Sequence, residues 1–289
     1  MKNILSLSLI LIMAITLAGC NDIPAEDGGF GGTPGVREDM GNEEPVSGGT
    51  DMPEVNGHIQ GDESESTQKA KEDENHINVK AKIVDQRENS YFIVGLDDNL
   101  QGLVNVHIEE TYIPNLVAVG DVISFDFNGM IAESYPAQIG NISNIQLVEE
   151  KGDIIGVYRE ALLELRGTDS GLDENASEIV LDLTEVNNLS SIEKEALTYL
   201  FSCDIQKFDS VYQSSMVELK ENGKIADDDG FLSFSDGVVY KVSNIEEPNG
   251  FTFDVEKWAS SRGAYGYSDC RAILKNNSYT WEKGDEWIS

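Results

Sequence analysis

The sequence predicts two folded parts: a small all-β barrel over residues 76–150, then an α+β domain over residues 151–289 with helices on a curved antiparallel sheet. In the first part, apolar and polar residues alternate in short runs, which is the period of β-strands. The second part begins with apolar stripes at helical spacing and continues with further alternating runs. Each part is long enough to bury a core of its own.

The N-terminus has the features of a secretory signal. Met1-Lys2-Asn3 is basic, Ile4 to Leu17 is apolar apart from Ser and Thr, and the run ends at Leu17-Ala18-Gly19-Cys20. Such a run is short for a membrane span and fits the apolar region of a signal peptide. The last four residues resemble the bacterial lipoprotein box, and this resemblance implies that residues 1–19 are removed and that Cys20 is lipidated. The alternatives are an ordinary secretory signal with a chance cysteine, or a short N-terminal anchor.

A diacylglycerol on Cys20 would supply two buried chains, which is enough for stable membrane anchoring. We therefore expect the protein at the cell membrane, lipid-anchored on the extracytoplasmic face. Residues 20–75 hold four of the seven prolines, several Gly pairs and an excess of acidic residues, and no aromatic residue lies between Phe30 and Tyr91. This composition predicts a disordered linker. A low-affinity Ca²⁺-binding tail is the alternative.

The charge balance limits the partners. Asp and Glu number 53 against 20 Lys and Arg, for a net charge of −33. Binding to phosphate backbones needs concentrated Lys and Arg, so we expect no nucleic acid partner.

The barrel prediction depends on five short strands. They are predicted near Ile77 to Ile83, Tyr91 to Val94, Leu103 to Ile108, Val122 to Phe127 and Ile142 to Val148. Five short strands in so few residues are typical of a small closed barrel of the oligonucleotide/oligosaccharide-binding (OB) type.

Residues 133–138, Glu-Ser-Tyr-Pro-Ala-Gln, are similar to a motif in a family of small secreted or lipidated bacterial domains of unknown function. The Val119-Gly120-Asp121 turn before a strand adds to this resemblance. The resemblance implies an OB-like barrel and no chemistry. Tyr135 and Gln138 are candidate ligand contacts at the barrel mouth; the alternative is a structural connector, since Pro136 disfavours a helix at Tyr135.

The α+β prediction depends on the order of elements. Helices are predicted from Ile154 to Leu165, from Ser190 or Ser191 to Phe201, and from Val211 to Glu221. A short strand at Ile179 to Leu183 precedes the second helix, and five strands follow the third. Helices followed by an antiparallel meander occur in cystatin-like and nuclear-transport-factor-like folds, an analogy of architecture that implies no activity.

No motif for catalysis or metal binding is well supported. His107 has no nucleophile elbow to accompany it, and the His and Cys residues are too scattered for zinc. Asp227-Asp228-Asp229-Gly230 matches a Ca²⁺ loop only in part. We therefore expect no catalytic residues, no metal and no cofactor.

Two pairs of residues remain as candidates. Cys203 and Cys270 would form a disulfide in an oxidising compartment, or would be two separate buried thiols. Tyr265 and Tyr267 share a strand face and would form an aromatic ligand surface, or part of the sheet core.

The function expected from these features is that of a non-catalytic envelope protein that binds a peptide, a glycan or a partner protein. One alternative is a hydrolase that uses carboxylates of the C-terminal domain, and we expect its site to hold two close carboxyl groups with opposed pKa shifts. The other is a structural or Ca²⁺-buffering envelope protein.

Overall fold

The computed structural model describes residues 76–87, 90–107, 117–140, 142–168, 170–174 and 176–289. The predicted signal peptide, the predicted lipidation site Cys20 and the predicted linker to residue 75 lie outside these residues. All the described residues belong to one compact unit. No helix within them is long and apolar enough to cross a membrane.

The first sheet has six strands in the order β5-β3-β2-β1-β4-β6. The strands are β1 Ile77–Arg87, β2 Ser90–Gly95, β3 Leu103–His107, β4 Val122–Phe127, β5 Ala137–Ile139 and β6 Ser143–Glu149. β5 is parallel to β3, and the other pairs are antiparallel. Within the described residues β5 and β6 are the two edges, so the sheet is a curled half-barrel and the prediction of a closed barrel is wrong.

The second sheet has nine strands, and its main order is β14-β13-β12-β11-β7-β8. The strands are β7 Glu178–Glu185, β8 Ser210–Gln213, β9 Ala226–Asp228, β10 Phe231–Ser233, β11 Gly237–Glu247, β12 Gly250–Ser260, β13 Gly263–Lys275, β14 Ser278–Glu282 and β15 Asp285–Ile288. β7 is parallel to both of its neighbours, β11 and β8. The sheet is therefore mixed, and the prediction of an antiparallel sheet is wrong.

The reason for the error is visible in β7. Ile179 and Leu181 pack into the largest core cluster, while Val180 between them packs into a smaller cluster on the opposite face. A strand that is buried on both faces has a continuous apolar run and fits the interior of a sheet, where parallel pairing is common. Local turn signals predict an antiparallel meander, and β11 to β14 form one. These signals do not reveal that β7 pairs parallel with β11 and β8.

Three α-helices accompany the sheets: α1 Ile154–Thr168, α2 Ser191–Ile205 and α3 Met216–Glu221. A 3₁₀ turn at Ser170–Asp173 follows α1. Ser190 caps α2 in a capping box with Glu193, as the sequence predicts. The third helix is shorter than predicted, because Val211 and Tyr212 pair with β7 as part of β8 and a second capping box, at Ser215, begins the helix.

The largest core cluster joins both sheets and two helices. It contains Phe92 and Val94 of β2, buried residues of α1 and α2, and the inward side chains of β7, β11, β12 and β13. A smaller cluster, including Ile93 and Phe125, lies on the other face of the first sheet. The helices are thus shared between the two sheets. The described residues are 52% strand and 20% helix, and within them the predicted separate domain of helices on one sheet is not present.

Candidate functional site

Gln138 lies on β5 of the first sheet, and Tyr135 lies in the bend just before that strand. Gln138 is exposed on β5, and its carbonyl accepts a hydrogen bond from the Ala132 N–H at 2.9 Å. The Tyr135 ring packs edge-on against Tyr199 of α2, with 5.6 Å between ring centroids, and burial raises its pKa to about 12. The Tyr135–Pro136 bond is cis. Tyr135 thus contacts α2 while remaining 43% exposed, and a ligand role for either residue stays a prediction.

Tyr265 and Tyr267 are in the core of the second sheet. Their exposed fractions are 5% and 0%, and both belong to the largest core cluster. The Tyr267 hydroxyl lies 2.7 Å from the Thr168 hydroxyl at the end of α1. The two rings pack as part of the sheet core, and Tyr267 also borders a cleft on this sheet that is described below. A ligand role for the two tyrosines stays a prediction.

Cys203 and Cys270 are not bonded to each other, and both are buried. Cys270, on β13, belongs to the largest core cluster, and its Sγ accepts a hydrogen bond from the Gly284 N–H at 3.4 Å. Cys203 lies on α2 outside that cluster. Of the two expectations for these cysteines, the arrangement matches the one with two separate buried thiols.

The other sequence candidates are surface features. His107 is exposed at the end of β3. Asp229 and Gly230 adopt positive φ in the turn between β9 and β10, and Asp227 accepts a hydrogen bond from the Gly230 N–H at 2.9 Å. Within the described residues, no group of three His, Cys, Asp or Glu side chains could hold a metal ion.

The structure reveals a different candidate, a cleft of about 200 Å³ on the second sheet. Its floor is formed by β11, β12 and β13, and its walls include Glu185, Lys241, Asp254, Glu256 and Trp287. Val242 and Val255, neighbours of these residues along the strands, point into the core beneath α1 and α2. Since successive side chains of a strand point to opposite faces, the cleft lies on the face of the sheet away from these helices. We call it the acidic cleft.

Backbone and side-chain contacts fix two of the charged groups. One oxygen of Asp254 accepts a hydrogen bond from the Asp269 N–H at 2.8 Å, where β12 and β13 change register. Lys241 Nζ lies 3.1 Å from Glu185 Oε1. Burial alone would lower the pKa of Lys241, but the carboxylates around it raise that pKa above its ordinary value.

Glu256 is the electrostatically strained member of the acidic cleft. Burial raises its pKa above the ordinary value of 4.5, and the charges of Asp254, Glu185 and Asp182 raise it further against the opposing effect of Lys241. The charges of three carboxyl groups, together with that of Lys241, thus act on the carboxyl group of Glu256. Such a site is stabilised by an additional positive charge.

Trp287 closes one side of the acidic cleft. It lies opposite Gly266 in the pairing of β15 with β13, and a Cβ atom at Gly266 would lie 2.7 Å from the indole. Only glycine therefore allows this close approach. The indole beside the carboxyl groups offers a cation a second, cation–π contact.

Binding of a cation or a polar group is the chemistry that this arrangement supports. The described carboxyl groups with lowered pKa values are Asp126, Glu178, Glu193, Glu218 and Asp227, and none of them lines the acidic cleft. The alternative of a carboxylate-dependent hydrolase stays a prediction. The sequence contained one signal for this site, the charges of Asp254 and Glu256 at alternate positions of an apolar strand.

No protein-family model matches the chain, and no curated protein matches it significantly. Among solved structures, it is similar to aspartyl tRNA synthetase from Entamoeba histolytica, with 9% identity and a TM-score of 0.20, over 70% of this chain and 48% of that one. It is also similar to asparaginyl-tRNA synthetase from Pyrococcus horikoshii, with 11% identity and a TM-score of 0.18, over 63% and 48% of the two chains. The chain spans about half the length of these structures. Likeness at such TM-scores supports no inference on fold or function.

Proposed function

We propose that this chain is a lipid-anchored extracytoplasmic binding protein without catalytic activity, and that its acidic cleft holds a basic segment of a peptide or partner protein. The observation that supports this most is the charge of the cleft, which Glu185, Asp254 and Glu256 line together with Lys241. The nearby buried Asp182 also acts on the charges of Glu256 and Lys241. Burial and the repulsion of the neighbouring carboxylates raise the pKa of Glu256, and a bound basic side chain would offset that repulsion.

The size of the acidic cleft favours a side chain over a free small molecule. Its volume is about 200 Å³, whereas ligand pockets in proteins are typically about 300–1,000 Å³. One Lys or Arg side chain would lie between the carboxyl groups and the Trp287 indole, and the rest of the ligand would lie along the open sheet. The chain's net charge of −33 also attracts cationic ligands at long range.

The anchor belongs to the same proposal and is supported by the sequence alone. The Leu17-Ala18-Gly19-Cys20 box would direct a lipid to Cys20, and the acidic segment that follows would hold the folded part away from an anionic membrane surface. The acidic cleft would then be presented to other molecules of the envelope.

Binding to the detergent-solubilised full chain tests the proposal. A Lys-rich peptide, a Glu-rich peptide of equal length and a neutral oligosaccharide are titrated by calorimetry at fixed salt. We expect binding of the Lys-rich peptide only, and a loss of about tenfold in affinity for Glu256→Gln, which corresponds to about 1.4 kcal/mol.

Glu247→Gln is the matched control, because Glu247 is an exposed carboxyl at the β11–β12 turn, outside the acidic cleft. It removes the same charge and should leave the affinity unchanged. Equal losses in the two variants would attribute binding to net charge and contradict the proposal. Binding of the oligosaccharide in place of the peptide would also contradict it.

A further inference from the structure

A fully buried lysine lies in the largest core. Lys257 on β12 has an exposed fraction of 0%. Lysine is almost never fully buried unless it is paired, since a buried ammonium group has a large desolvation cost. Its neighbours therefore indicate how this nitrogen is accommodated.

Asp173 is the acidic neighbour. It ends the 3₁₀ turn after α1, its exposed fraction is 4%, and its Oδ2 lies 3.7 Å from Lys257 Nζ. The Tyr240 hydroxyl donates a hydrogen bond to the same Oδ2 at 3.0 Å. Lys257 Nζ also donates to the carbonyl oxygen of Arg166 at 3.5 Å. An amine and a carboxyl group are thus held side by side in the core, close to a hydroxyl donor.

The surroundings favour the neutral form of this acid. Burial raises the pKa of Asp173, although the positive charges of Lys257 and Arg166 and the Tyr240 hydrogen bond oppose the shift. Asp173 Oδ1 is buried and accepts no hydrogen bond from any residue that the structure describes. A charged carboxylate oxygen without a donor is costly in a protein interior, whereas a protonated hydroxyl costs less.

We propose that Lys257 and Asp173 condense to form an intramolecular isopeptide bond. A proton first passes from the Lys257 ammonium to the Asp173 carboxylate, which leaves a neutral amine and a neutral acid. Nζ then attacks Cγ, and the Tyr240 hydroxyl stabilises the negative charge that develops on Oδ2. The bond between Cγ and Oδ1 breaks, Oδ1 takes a proton from Nζ, and one water molecule leaves. The products are an amide and water, and no oxidant or other reactant is needed.

Proximity and exclusion of water make this step feasible. Groups held in a reactive geometry reach effective concentrations of about 10⁵–10⁸ M. The core keeps both groups away from the solvent that would hold them in their charged forms. The new bond would link the α1–β7 connection to β12 and resist unfolding of the second sheet.

Peptide mapping of the full wild-type chain by mass spectrometry tests the proposal directly. Trypsin cuts after Arg166 and Lys194 and after Lys241 and Arg262, and it cannot cut after an amidated Lys257. We expect fragment 167–194 joined to fragment 242–262, with a mass one water below the sum of the two. Complete cleavage after Lys257, with fragments 167–194 and 242–257 both at their unmodified masses, would overturn the proposal.

Lys241 and Glu185 provide an internal control in the same digest. Their nitrogen and oxygen are closer, at 3.1 Å, but the Glu185 side chain is 57% exposed, so this pair should remain unmodified. Among variants, Lys257→Met should abolish the joined fragment and Tyr240→Phe should increase the unreacted fraction. Joined fragments at both pairs, or an undiminished yield in Tyr240→Phe, would show that the buried geometry is not the cause.

Discussion

Phe92→Ala tests whether the two sheets share one core. Phe92 lies on β2 of the first sheet, is 6% exposed, and belongs to the cluster that includes α1, α2 and the second sheet. Its ring lies 5.9 Å from the Tyr199 ring of α2, and the Arg87 guanidinium lies 5.3 Å above it. Truncating such a buried ring costs about 3–5 kcal/mol, because the lost contacts leave a cavity.

The chain offers a selective probe for this experiment. All three tryptophans, Trp258, Trp281 and Trp287, lie in the second sheet, on β12, β14 and β15. Their fluorescence during urea unfolding reports that sheet alone. With a loss of about 4 kcal/mol and a slope of roughly 2 kcal/mol per M urea, the Phe92→Ala midpoint should fall by about 2 M.

An unchanged tryptophan transition in Phe92→Ala would refute the shared core, because the first sheet would then unfold independently. Phe92→Leu, a milder change, gives the same comparison if the alanine variant does not fold. Leu96→Ala is the control: Leu96 follows β2 and is 51% exposed, so its truncation should change the stability by less than about 0.5 kcal/mol.

Three further predictions concern single side chains. Folding raises the pKa of Glu256 above 4.5, so the folded state binds more protons than the unfolded state, and the contribution of Glu256 to stability falls as pH rises above that value. In urea titrations at several pH values, Glu256→Gln should therefore reduce this fall and raise the free energy of unfolding at neutral pH. An unaltered pH dependence would contradict this prediction. Ser190→Ala should cost about 1 kcal/mol through loss of the α2 capping box, whereas Ser191→Ala, one residue into the helix, should cost less; equal losses would deny the cap its role. Cys20→Ser should move the protein out of the fraction that detergent extracts as lipoprotein, and unchanged partitioning would rule out the anchor.

The sequence predicts most strands and the first two helices, because local periodicity and caps determine them. Ile154, Ser190 and the alternation from Val122 to Phe127 have the expected roles. The short strands β5, β8, β9 and β15 are missed, since three or four residues give too little periodicity.

The arrangement of the sheets is not predicted, because it depends on what covers their second faces. Tyr91-Phe92-Ile93-Val94 is buried on both faces of β2, one against the curled sheet's own core and one against the helices. The continuous apolar run of this strand is the sequence feature that indicates burial on both faces. The acidic cleft is not predicted for a related reason: Lys241, Glu185 and Asp254 come from different strands, and only the register of β7, β11 and β12 brings them together.

Hydrogen–deuterium exchange of the full chain, with and without the Lys-rich peptide, tests the central claim most directly. The segment of residues 20–75 is the main competitor for a basic ligand, because its acidic residues greatly outnumber its basic ones. If the acidic cleft is the binding site, the peptide should slow exchange in β12, β13 and β15, and Glu256→Gln should reduce that protection. Protection confined to the linker, with unchanged exchange in these three strands, would contradict the account.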